Sequence, residues 1–241
     1  MTNEIRIDDL AAPVLSDLQQ MGLDHGEAKR TELTVDAVCE AAVARTGMHD
    51  FGPADFRERL GAQLAEMDAD PERTGLGRML FFGDCVRAAA NRLLVRDLLR
   101  RHPEILEIPI VAPVIVVGLP RSGTTHLVNM LAADSRFRSL PLWESYEPVP
   151  NPTEPAEVDG VDPRWARCQQ AWEAMQAGAP LVAAMHPMEP DHVHEENELM
   201  APDFSNYNLE WVARAPGWRD RYLAHDQTPH YAYMKNVLQI L

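Results

Sequence analysis

Pro113-Val114-Ile115-Val116-Val117-Gly118-Leu119-Pro120-Arg121-Ser122-Gly123-Thr124-Thr125 is the stretch on which the fold turns. Val114 to Val117 is a short, continuous β-branched run bounded by Pro113 and Gly118, the pattern of a strand buried on both faces, as in parallel α/β sheets. A helical pattern follows at once, with Leu127, Met130 and Leu131 between Thr125 and Asp134. Strand, glycine turn and helix in that order predict a phosphate-binding unit. Gly118 and Gly123 stand at the G-x-x-x-x-G spacing of a P-loop. Such a loop must curl so that successive N–H groups point into one cavity, and the helix start adds partial positive charge.

What the loop lacks matters equally. The nucleotide-hydrolysing version places Lys after the second glycine, and Thr124 stands there instead; the fixed cation has moved into the loop as Arg121. Without that Lys, and without a second strand ending in Asp, the magnesium-triphosphate machinery has no support. An Arg beside a ring of backbone N–H groups suits a smaller anion whose bridging oxygen gains charge as a bond breaks.

Upstream, the first hundred residues read as helices. Thr34 caps a helix with Val35, Val38, Cys39, Ala42 and Val43 on one face, ended by Gly47. Pro53 suits the start of a second helix bearing Phe56, Leu60, Leu64 and Met67. A third is predicted from about Gly83 to Arg101, stopped by Pro103. Downstream of Leu140, six prolines from Pro141 to Pro163 predict a long extended loop, and loops of that kind are usually functional or mobile. Helices are expected to resume at Trp165 to Gln176, Asp191 to Met200, Phe204 to Ala213 and Trp218 to Leu241. The whole reads as a helical region, residues 1–108, followed by an α/β P-loop domain with a parallel sheet, residues 109–241.

The charge is uneven. The chain has 241 residues and a net charge of −15, which disfavours nucleic-acid binding, and 46% hydrophobic residues, which exclude disorder. Ser139 to Ala213 carries fourteen acids against Arg164 and Arg167. Cys85 to Arg138 carries eight arginines against four acids, and a locally basic segment in an acidic protein is where an anionic ligand would sit. Arg87 to Arg101 read equally well as the solvated face of a helix. Three unpaired cysteines, an acidic N-terminus and no apolar run of spanning length predict a cytoplasmic protein without a membrane span.

At Pro120 to Thr125 the sequence resembles the sulfotransferases that use 3′-phosphoadenosine 5′-phosphosulfate (PAPS), whose phosphosulfate loop reads Pro, Lys or Arg, Ser or Thr, Gly, Thr, Thr after a hydrophobic strand. It is most similar to the bacterial branch, in which a Trp-Glu and proline segment follows, here Leu142-Trp143-Glu144 and Pro148-Val149-Pro150. The resemblance is specific from about Pro113 to Pro150. It implies that Pro120, Arg121, Ser122, Gly123, Thr124 and Thr125 bind PAPS as co-substrate, with Arg121 on the bridging oxygen. It also implies that Glu144 is the general base for a small-molecule acceptor, apolar or carbohydrate, with no metal required. His126, opening the helix after the loop, is a second candidate for donor or base.

His186, His192 and His194 lie in the densest run of titratable groups in the chain. His192 and His194 are two apart and would point to different sides of a helix, and H-E-x-x-H is not met, so the segment reads as acceptor-pocket lining rather than a metal site. One departure from the resemblance is large: the related enzymes continue with a further strand and an Arg and Ser that grip the 3′-phosphate. A lone parallel strand has both edges unpaired. The sheet is therefore expected to be incomplete and the chain to be the N-terminal part of a longer enzyme. The competing readings are a P-loop kinase or other nucleotide-binding transferase, and a truncated non-catalytic copy acting as an interaction module.

Overall fold

The 27-residue helix Gly75–Arg101 is the spine of the molecule in the computed structural model, which describes residue 9, residues 11–29 and residues 31–241. Along the chain the helices are α1 Asp17–Lys29, α2 Val35–Thr46, α3 Phe56–Ala69, α4 Gly75–Arg101, α5 Thr124–Ala132, α6 Leu142–Tyr146, α7 Pro163–Gly178, α8 Pro180–Met185, α9 Asn197–Met200, α10 Asn208–Val212, α11 Pro216–Ala224 and α12 Thr228–Ile240. Single 3-10 turns occupy Pro103–Glu107 and Ala201–Asp203.

Local signals set the ends of the early helices. Thr34 Oγ1 accepts from Ala37 N at the start of α2, and Gly47, in the left-handed region, returns its N–H to Val43 O. At the far end of α4, Arg100 and Arg101 fill the last turn before Pro103. The start of α4, however, lies eight residues before the predicted Gly83. Gly75 and Gly77 read as breakers, yet Gly75 is the contact at which α1 crosses α4. A Cβ on Gly26 would stand 2.1 Å from Leu76 N, and one on Gly75 would stand 2.4 Å from Gly26 O. Only glycine lets the two backbones approach so closely.

One face of α4 (Cys85, Ala88, Ala89, Leu93) packs with Val38, Phe56, Leu60 and Leu64, joined by Phe204, Leu209 and Trp218 from late in the chain. The other face (Leu94, Val95) packs with Val149, Leu199 and Val237. Arg87 and Arg92 are drawn inward with them. Arg92 donates to Asp203 at 3.0 Å, Arg59 donates to the same carboxylate at 2.7 Å, and Arg87 reaches Glu198 at 3.5 Å. These arginines are interior cross-links to the acidic second half, not a solvated face.

The expected α/β fold is not what forms. Among the described residues there is no strand and no parallel sheet, complete or incomplete; pairing is limited to two isolated antiparallel bridges, Pro141 with Val193 and Val158 with Val161. Val114, Ile115 and Val117 run without ladder partners and are 61%, 71% and 86% exposed. The β-branched run prefers an extended backbone, but a sheet needs a neighbour to satisfy each N–H and C=O, and no described segment lies alongside. The segment is tied only at its entry, where Gln239 Nε2 of α12 donates to Leu106 O and Ile108 O.

Three later expectations also change. The helix expected at Asp191 begins at Asn197, so residues 190–194 are non-helical and pair across Leu140 to Leu142. Phe204, expected to start a helix, sits at φ +52 after Pro202, and the helix begins at Asn208. The expected helix Trp218 to Leu241 is two, because Asp226 Oδ1 accepts from the Thr228 N–H and hydroxyl and Pro229 opens α12.

Candidate functional site

The loop between the exposed apolar run and α5 is built as a turn closed on itself. Ser122 donates both its N–H and its hydroxyl to Leu119 O, at 3.1 and 2.6 Å. Gly118 is held against the far side of that turn, where a Cβ would stand 2.7 Å from Ser122 Oγ and 2.8 Å from the Thr124 methyl. Gly123 lies at φ +95 and Arg121 at φ +66. A non-glycine residue in that region is strained by about 1–2 kcal/mol, and such strain concentrates at functional sites.

From this turn α5 departs without a side-chain cap. The N–H groups of Gly123, Thr124, Thr125 and His126 donate to no acceptor among the described residues, and the first bond of the helix is Leu127 N to Gly123 O. Four free donors at a helix start form an anion-binding arrangement. The cation beside them is free as well. Of the eight arginines from Cys85 to Arg138, seven are ion-paired: Arg87 with Glu198, Arg92 with Asp203, Arg96 with Asp50, Arg100 and Arg101 with Asp97, Arg136 with Asp134 and Arg138 with Glu144. Arg121 has no acidic partner among the described residues.

Two further segments are fastened against α5. Asn129, one turn beyond Thr125, donates through Nδ2 to Thr125 O at 2.8 Å and to Val193 O at 3.1 Å, while its Oδ1 accepts from Val193 N at 3.1 Å. On the other side of Val193, His194 N donates to Leu140 O and Leu142 N to His192 O, both at 2.9 Å. The 190–194 segment thus lies between α5 and α6. Because it is non-helical, His192 and His194 gather with His186, whose ring centroid is 6.5 Å from His192 and 5.5 Å from His194.

Burial, then the neighbouring His186 and His192, push the His194 imidazole down to about 4, and neither of its ring nitrogens has a partner. His192 is lowered by burial and by His186, with Glu189 opposing. Glu144, at the start of α6, is bound by Arg138 at 2.6 Å. Trp143 beside it carries the Arg164 guanidinium 4.7 Å above its ring. His126 projects from α5 exposed and without a side-chain partner among the described residues.

Pro120 to Thr125 therefore form one contiguous cradle, and Glu144 reaches its neighbourhood through α6. Sequence reasoning did not find Asn129, although a lone carboxamide in the apolar helix TTHLVNMLA was a signal for it. It also missed α6 and the gathering of the three histidines on one segment. Among the described residues no group of three or more His, Cys, Asp or Glu is arranged to hold a metal ion, and no helix is long and apolar enough to cross a membrane.

A turn of open amides with a free guanidinium is the site of an anion-binding transferase. Residues 113–241 match the sulfotransferase family, and the chain belongs to it. Its structure is similar to that of sulfotransferase STF1 from Mycobacterium tuberculosis H37Rv, at 27% identity and a TM-score of 0.71 over 86% of this chain and 56% of that one. It is similar also to sulfotransferase STF9 from Mycobacterium avium, at 28% identity and a TM-score of 0.73 over 88% of this chain and 54% of that one. The chain thus spans about half the length of these structures. No curated protein matches it.

Proposed function

We propose that this chain serves sulfuryl transfer from PAPS to a hydroxyl or amine of a small acceptor. The 118–125 turn would hold the phosphosulfate, and the helices of residues 1–108 would support it. The observation that carries this reading is the pairing pattern of the basic segment: seven arginines spent on carboxylates and Arg121 left free beside four open amides. In that cradle the amides of Gly123, Thr124 and Thr125 and the hydroxyls of Ser122, Thr124 and Thr125 take the phosphosulfate oxygens. Arg121 stabilises the charge that grows on the bridging oxygen as the S–O bond breaks. The resemblance nominates Glu144 as base, with His126 second.

Calorimetric titration with adenosine 3′,5′-bisphosphate tests the donor site. Binding is expected, weakened about 10- to 100-fold in Arg121→Ala, the range of one hydrogen bond to a charged group. A preference for ATP with magnesium would replace this reading with a kinase or other nucleotide-binding transferase. Binding of neither would favour a non-catalytic interaction module.

A further inference from the structure

His186, His192 and His194 remain without a task after the donor site is accounted for, and their placement supplies one. Asn129 Nδ2 is shared: it donates to Thr125 O at 2.8 Å and stands 3.4 Å from His192 Nε2. The His192 ring therefore lies within two such contacts of the first turn of α5, where the cradle amides are. The orientation of the Asn129 amide is set by Val193, whose N–H needs Oδ1 and whose C=O needs Nδ2. Both hydrogens of Nδ2 are then spent, on Thr125 O and Val193 O. A protonated Nε2 would face a nitrogen with no lone pair to offer, so the neutral ring carries its proton on Nδ1 and leaves Nε2 bare. His192 is half-buried and reachable, and His186 and His194 beside it disfavour a charged ring. Glu144, by contrast, already holds Arg138.

We infer that His192 Nε2 is the proton acceptor of the transfer, with the 186–194 segment receiving the acceptor hydroxyl. The inference rests on the PAPS reading of the 118–125 turn. In the step, the acceptor O–H bond breaks and its proton passes to Nε2 as the oxygen forms a bond to sulfur. The bond from sulfur to the bridging oxygen breaks, and its electron pair leaves with the 5′-phosphate at Arg121. An uncharged acceptor fits this segment best, since Glu189, Asp191, Glu195 and Glu196 border it and repel an anion.

Three measurements on the full chain test the role. Release of labelled sulfate from PAPS, with water or 2-naphthol as acceptor, is expected to fall about 10²-fold or more in His192→Gln, with adenosine 3′,5′-bisphosphate affinity unchanged. In His192→Ala, added imidazole is expected to restore part of the lost rate. Long-range proton–nitrogen correlation spectra at pH 7.5 should show His192 with Nε2 bare and Nδ1 protonated. Intact turnover in His192→Gln, or loss confined to Glu144→Gln or His126→Gln, overturns the assignment. So does a protonated Nε2, whatever the turnover. Failure of the wild-type chain to bind the adenosine bisphosphate overturns the donor reading, and this role with it.

Discussion

Asn129 holds Val193 by both ends of its backbone, accepting from the N–H and donating to the C=O, each at 3.1 Å. A single side chain thereby acts as the neighbouring strand that this stretch otherwise lacks, and it positions the histidine segment against α5. Val193 is 8% exposed, so its backbone groups have little water to turn to when the carboxamide is removed. Asn129→Ala is expected to lose about 1–3 kcal/mol in urea denaturation, with faster amide exchange at Val193 and His194. An unchanged midpoint would show that the grip is redundant.

The loop predicts two substitutions of opposite character. Arg121→Gly removes the side chain at φ +66 and is expected to raise stability by about 0–1 kcal/mol while weakening adenosine 3′,5′-bisphosphate binding. Gly118→Ala drives a methyl into Ser122 Oγ and Thr124, so binding and stability should fall together. Thermal shift and calorimetry on the two variants separate strain from recognition.

Asp203 gathers Arg59, Arg92 and His230 at 2.7, 3.0 and 2.7 Å while itself buried. Asp203→Asn leaves two interior guanidiniums without a counter-charge, and breaking a buried pair in this way costs about 3–5 kcal/mol. A drop of that size in the denaturant midpoint is expected, and one below about 1 kcal/mol would mean the cluster reorganises.

His194 makes stability depend on pH. Its folded value of about 4 lies below the ordinary value near 6.5, so the unfolded chain binds the extra proton between them. Stability is then full above about pH 6.5 and declines as pH falls toward 4, by up to about 3 kcal/mol from this group. Glu198, held above the usual carboxylate range by burial, works with the opposite sign. Comparing melting curves of wild type and His194→Phe between pH 7.5 and 4.5 cancels the Glu198 contribution, and the His194→Phe curve should be the flatter.

Val114, Ile115, Val117 and Leu119 form an exposed apolar strip, with Leu119 at 80%. Such a strip binds apolar dyes and promotes association. Nile red fluorescence and concentration-dependent light scattering should both fall in Ile115→Lys. No change in either would place the dye-binding surface elsewhere.

The features legible in the sequence were those whose cause lies within a few residues. Thr34 and Gly47 bound α2 as read, because a cap is one side chain or one φ angle acting on its own turn. The Gly118 to Thr125 turn was legible for the same reason: its glycines, its Arg and the helix start are contiguous. The strand assignment failed because β-branched propensity settles the backbone's preference, while a sheet requires a partner that propensity does not supply. The helical phase of Asp191 to Met200 failed where pairing with Leu140 and Leu142 outweighed local preference.

By itself, then, the sequence determined an anion cradle with a relocated cation and the helices of the first hundred residues, since each follows from neighbours in the chain. Only the tertiary structure decided which arginine stays free, because the carboxylates that bind the other seven include partners more than a hundred residues away, Glu198 and Asp203 among them. It alone brought His186 beside His192 and His194 and set Asn129 against Val193. Those contacts arise from packing across α4, α5 and α6, which no local run of residues encodes.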